Sequence, residues 1–69
     1  MAQEGRSLPA SLTPTGVKGV FLLTYQEKGI LYSARFRARK EGKKHITGWI
    51  GKDEKEIVTF DRARNTVRM

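Results

Sequence analysis

A chain of 69 residues without cysteine carries fourteen Lys and Arg against seven Asp and Glu, a formal charge of +7. That length holds one domain. The composition excludes a disulfide or thiolate zinc staple, and no apolar run approaches the ~18 residues of a membrane span. An excess of cations this large on so short a chain predicts attraction to a polyanion.

Residues 1–16 hold both prolines, Pro9 and Pro14, with Gly5, Ser7, Ser11, Thr13 and Thr15 and few large apolar side chains. Such a composition does not repay the entropy of ordering, so this stretch reads as a flexible arm or an appended remnant. It also lacks the basic start and apolar core of a signal peptide, and an intracellular module is expected. The remaining 17–69 form the expected folded domain. Val17 to Tyr25 is rich in β-branched and aromatic residues and predicts a strand, and Gln26-Glu27-Lys28-Gly29 predicts a hairpin loop.

From Ile30 to Lys40, Tyr32, Ala34, Phe36 and Ala38 alternate with Ser33, Arg35, Arg37 and Arg39. A period of two marks a strand with one face on a core and three arginines on the other. Glu41-Gly42-Lys43 predicts a second turn and Lys44 to Ile50 a third strand. Beyond Gly51 the period changes. Asp53 and Glu56 have capping-box spacing, and Ile57, Phe60, Ala63 or Arg64, and Val67 recur at three and four, which predicts a helix. The expected fold is α+β, a three-stranded antiparallel β-sheet packed against one C-terminal α-helix.

Catalysis is not expected. His45 is the only histidine, has no cysteine to join it, and lacks an evident orienting partner. The carboxylates Asp53, Glu54, Glu56 and Asp61 are accounted for by capping and solvation, and no phosphate-loop pattern surrounds Gly48 and Gly51. Neither a metal nor a cofactor is implied. The sharper constellation is Arg35, Arg37 and Arg39 on one strand face, since arginine forks onto guanine in a major groove that admits strands. Lys40, Lys43 and Lys44 are compact charges suited to phosphate. Double-stranded DNA is the expected partner.

Order and spacing carry a resemblance. Lys18-Gly19-Val20, Tyr32-Ser33-Ala34-Arg35-Phe36-Arg37, Gly42-Lys43-Lys44, Thr47-Gly48-Trp49-Ile50 and Phe60-Asp61-Arg62-Ala63-Arg64 stand in sequence over about fifty residues. Together they resemble the Apetala/ethylene-response-factor DNA-binding domain, whose motifs read R-G-V, W-A-A-x-I-R, G-K-R, L-G-x-F and E-E-A-A-x-A-Y-D-R-A-A. The resemblance implies a three-stranded sheet in the major groove, a C-terminal helix, a role in transcription and a nuclear location (cytoplasmic for a prokaryotic or phage protein). It places DNA contacts at Lys18, Phe21, Arg35, Arg37, Lys44 and Ile46. Phe21 and Leu23 stand where plant members carry arginine, Ile46 replaces a tryptophan, and Arg35 replaces a common glutamate. These departures point to a divergent member without plant GCC-box specificity.

Three other readings stand beside this one. The arm-binding domain of a tyrosine recombinase also uses a three-stranded sheet and a helix. An RNA-associated structural module would use Phe21, Tyr25 and Tyr32 as stacking platforms. A protein contact would require Phe21, Leu23 and Tyr25 to form an exposed apolar patch.

Overall fold

A computed structural model describes residues 7–69, and it is all β. Six strands follow in chain order: β1 Ser7–Pro14, β2 Val20–Glu27, β3 Ile30–Glu41, β4 His45–Ile50, β5 Glu56–Asp61 and β6 Thr66–Arg68. Each pairs antiparallel with the next, and β6 returns to β1, which closes an up-and-down barrel. The expected three-stranded sheet with a C-terminal helix is therefore corrected to a six-stranded barrel, with no helix among the described residues.

The first correction lies in the segment read as an arm. Its residues 7–14 form β1, and the rest of that expectation up to residue 6 lies outside the described residues. Leu8, Ala10 and Leu12 alternate with the exposed Ser7, Pro9, Ser11 and Thr13 and pack against the core, while β1 pairs on both sides, with β2 and with β6. Alternation over only three modest apolar side chains is a weak signal. Closure of the barrel gives the strand two hydrogen-bonded neighbours, which offset its ordering entropy.

The expected helix is replaced by β5, a turn and β6. Ile57-Val58-Thr59 is a run of three β-branched residues, poor for a helix and well suited to a pleated strand. Phe60 and Val67 share a helical stripe in the sequence, but in the barrel they are direct cross-strand partners. Both are buried, as is Val58, which the helical reading left off the stripe; Ile57, which it placed on the stripe, is 52% exposed. Between the strands, the Asp61 carboxylate accepts hydrogen bonds from the backbone N–H groups of Ala63 (2.9 Å) and Arg64 (3.2 Å). This Asx-type turn ends at Asn65, in the left-handed region at φ 54°. Asp53 and Glu56 do not cap a helix: Asp53 is in a tight turn and Glu56 opens β5.

The middle of the chain follows its pattern with shifted ends. Two-residue positive-φ turns of the type I′ kind suit Lys28-Gly29 (φ 53° and 80°), so β2 and β3 run to Glu27 and from Ile30. The barrel is filled by Leu23, Phe36, Ile46, Ile50, Val58, Phe60 and Val67. Phe21 meets Phe36 edge to face at 6.4 Å. Against the Phe36 ring lies Gly48, whose missing side chain leaves room for that ring and for the Arg37 backbone.

Candidate nucleic-acid interface

Antiparallel connection sends every second turn to the same end of the barrel. The β1–β2 turn (residues 15–19), the β3–β4 turn (42–44) and the β5–β6 turn (62–65) therefore share one end. Backbone hydrogen bonds join this end together: Ala38 N donates to Gly19 O at 2.8 Å, and Arg62 N donates to Lys44 O at 2.8 Å. Lys18, Arg39, Lys40, Lys43, Lys44, Arg62 and Arg64 gather here, opposed by Glu41 and Asp61. All seven cations are exposed. At the opposite end Lys28, Lys52 and Lys55 face Glu27, Asp53, Glu54 and Glu56. The net charge is thus concentrated at one end.

Two open depressions meet on this basic end. One, of about 250 Å³, is lined by Lys40, Gly42, Lys43, Lys44, His45 and Thr47. The other, of about 590 Å³, shares Lys44 and His45 and continues over Thr59, Asp61, Thr66 and Ser7 to Arg64 and Arg68. Its lining combines the hydroxyls of Ser7, Thr59 and Thr66 with the cations Lys44, Arg64 and Arg68, a set that can donate to phosphate oxygens. Asp61, whose Oδ1 accepts from the turn backbone, has its Oδ2 3.7 Å from His45 Nε2. No group of three or more His, Cys, Asp and Glu able to hold a metal occurs among the described residues.

The expected DNA-facing residues divide into three sets. Lys18, Arg39, Lys40, Lys43 and Lys44 are exposed at the basic end. Arg39 is the extra residue of a β-bulge: Ala38 faces Gly48 and Lys40 faces Thr47, which leaves Arg39 unpaired between them. Arg35 and Arg37 project from β3 as their alternation predicts, but both lean on Glu54. Arg37 Nη1 donates to both Glu54 carboxylate oxygens at 3.3 Å, and Arg35 Nη2 lies 3.8 Å from one of them. Ile46 and Phe21 form the third set. Ile46 is 1% exposed in the barrel interior, and Phe21 is half-buried against the core.

Ile46 cannot touch DNA from the interior, because its strand alternates inward at Ile46, Gly48 and Ile50. The suggested protein-contact patch of Phe21, Leu23 and Tyr25 is corrected on the same ground: Leu23 is fully buried, and all three point to the inner face of β2. Sequence reasoning missed Arg62 and Arg64 as part of the basic surface, because they fall within the stretch read as a helix. Their signal was the Asp61-Arg62-Ala63-Arg64-Asn65 string, whose Asp and Asn ends mark a turn.

The fold and this surface define a class: a small, closed, antiparallel barrel with a polycationic end. The chain matches no protein-family model, no curated protein and no solved structure. The helix that the Apetala/ethylene-response-factor likeness implies is replaced by β5 and β6.

Proposed function

We propose that this protein binds double-stranded DNA through the basic end of the barrel. The observation that carries the reading is the segregation of charge, with seven cations and two acids on three adjoining turns and β-strand ends. A cluster of this kind raises the local concentration of a polyanion and releases its counterions on binding. A duplex is favoured over a single strand by where the aromatic rings sit. Tyr25 and Tyr32 stack on each other at 5.3 Å toward the opposite end, and Phe21 packs on the core. Trp49, on the outer face of β4 beside Arg37, also lies toward that opposite end, so among the described residues the cationic turns carry none of the aromatic rings that single-strand binders place among their cations.

Phosphate contact by Lys40, Lys43, Lys44 and Arg64 accounts for affinity in this reading. Arg35 and Arg37 reach a base edge only by exchanging Glu54 for it. A place in transcription requires that one sequence be preferred, which selection of bound sites from a random duplex library decides. The direct test compares two double variants of equal charge change. Lys43→Ala with Lys44→Ala is expected to weaken duplex binding at least tenfold, and Lys52→Ala with Lys55→Ala to change it less than threefold (estimates from about one lost phosphate contact per lysine). Equal effects at the two ends would overturn the placement. Preference for structured RNA over the duplex would overturn the partner.

A further inference from the structure

The basic end of the barrel is open on one side, and the opening leads to core side chains. Strand β1 pairs with β6 only over Ser7–Pro9, and the last link on that side runs from Ala10 N to Asn65 O (3.0 Å). From Ser11 to Pro14 it pairs with β2 alone, because residues 62–65 on the other side form a turn and not a strand. The gap leaves a depression of about 270 Å³. Its apolar wall is made by Leu12, Phe21, Ile46 and Phe60, inward side chains of four different strands. Leu12 and Phe21 are half-buried, and Ile46 and Phe60 lie deeper still. Ser11, Pro14, Arg62 and Asn65 complete the rim.

Two features set this mouth apart from the two neighbouring depressions. Those are walled by hydroxyls, cations and His45, whereas here core carbon can be reached from solvent. The polar groups of the rim are also held in place but unengaged. Arg62 N donates to Lys44 O at 2.8 Å and Asn65 O accepts from Ala10 N, which anchors both backbones. Their side chains make no hydrogen bond or ion pair among the described residues. Among those residues no carboxylate lines the mouth. Asp61, the acid of the same turn, lines the neighbouring 590 Å³ depression, with its oxygens on the turn backbone and beside His45.

We propose that this mouth binds a small organic anion, an apolar body of one ring or a short alkyl chain bearing a single carboxylate. The body covers Leu12, Phe21, Ile46 and Phe60 and takes their exposed carbon out of water. The Arg62 guanidinium meets the carboxylate with two parallel N–H groups, and the Asn65 amide donates to the same oxygens. A cation with no acid opposite it selects the anion over a neutral ligand of the same shape. At about 270 Å³ the mouth falls below the roughly 300–1,000 Å³ of drug-sized sites, which limits the body to about one ring.

Binding of such an anion needs no DNA and is tested without it. The probe is phenylacetate, titrated into the full chain and followed by nuclear magnetic resonance. Phenylacetamide supplies the same body without the charge, and acetate the same head without the body. Phenylacetate should shift the Leu12 and Ile46 methyl signals and the Phe21 and Phe60 ring signals saturably, with half-saturation at about 1 mM or below. The amide should bind at least about fivefold more weakly, and acetate should not saturate over the same range. Arg62→Gln, at an exposed position, should keep the parent's fold, weaken phenylacetate about fivefold or more and leave the amide unchanged. Leu12→Phe, which narrows the mouth, should weaken both. Lys43→Ala with Lys44→Ala should bind phenylacetate within about threefold of the parent, so loss of duplex binding and loss of this site are separable. Equal binding of phenylacetate and its amide overturns the proposal. So does parent affinity in Arg62→Gln, or a set of shifts confined to the basic-end turns without Leu12 and Ile46. If a duplex moves those two methyl signals and phenylacetate does not, the mouth receives a nucleobase and the proposal fails.

Discussion

At the scale of single residues, the tightest constraint is Gly48. A side chain there would press against the Arg37 carbonyl oxygen and come within 2.8 Å of two Phe36 ring carbons. Phe36 is fully buried and the carbonyl belongs to a paired strand, so neither gives way easily. Gly48→Ala should cost about 1–3 kcal/mol or more as an overpacked core site, read as a fall in the denaturation midpoint with unchanged slope. Glu54 poses the opposite case. It is an exposed-side partner of Arg35 and Arg37, whose side chains are 55% and 56% exposed, so Glu54→Gln should change stability by less than about 1 kcal/mol. Because Glu54 lies at the end away from the proposed duplex surface, Glu54→Gln should change duplex affinity less than about threefold, like the Lys52 and Lys55 pair, and titration of a labelled duplex checks this.

At the scale of elements, β5 and β6 carry the test of the architecture. Phe60 joins Ile46 on one side and Val67 on the other as a cross-strand partner. Phe60→Ala should cost about 3–5 kcal/mol, a large share of what a domain this small can have. Far-ultraviolet circular dichroism of the parent should show sheet without a helical band; a helical spectrum would refute β5 and β6. The β2–β3 ribbon makes a pH prediction. Burial raises the Tyr25 phenol above its ordinary value of 10.0, with further contributions from the carboxylates of Glu27 and Glu56 and from Tyr32. A raised value in the fold means that this contribution is fully present below pH 10.0 and is lost as pH climbs through the folded value. Alkaline melts should therefore fall less steeply with pH for Tyr25→Phe than for the parent.

At the scale of the whole molecule, the segregated charge governs salt dependence. Four to six phosphate contacts imply a log–log slope of about −4 to −5 for duplex affinity. Most of that slope should persist on a shuffled duplex, since phosphate contacts carry no sequence information. Each alanine at Lys40 or Lys43 should flatten the slope by about one unit, whereas alanine at Lys52 should leave it unchanged. A flat dependence for the parent would remove the electrostatic basis of the proposal.

The strands that the sequence specifies by itself are those with strict alternation. In β3, Phe36 and Arg37 could only divide between core and solvent, and the β-branched and aromatic content of β2 allowed nothing but a strand. The overall charge and the cations at Lys40, Lys43 and Lys44 were legible for the same local reasons. Tertiary structure decided everything whose local signal was ambiguous. The sequence 57–67 places Phe60 and Val67 seven residues apart, a spacing that suits both a helical stripe and a four-residue hairpin turn. Only pairing with β4 on one side and β1 on the other selects the hairpin, because closure satisfies backbone groups that an open sheet would leave unpaired. The same closure draws Ser7–Pro14 into a strand and turns Ile46 inward. It also brings Arg62 and Arg64 beside Lys43 and Lys44, since antiparallel strands return alternate turns to one end.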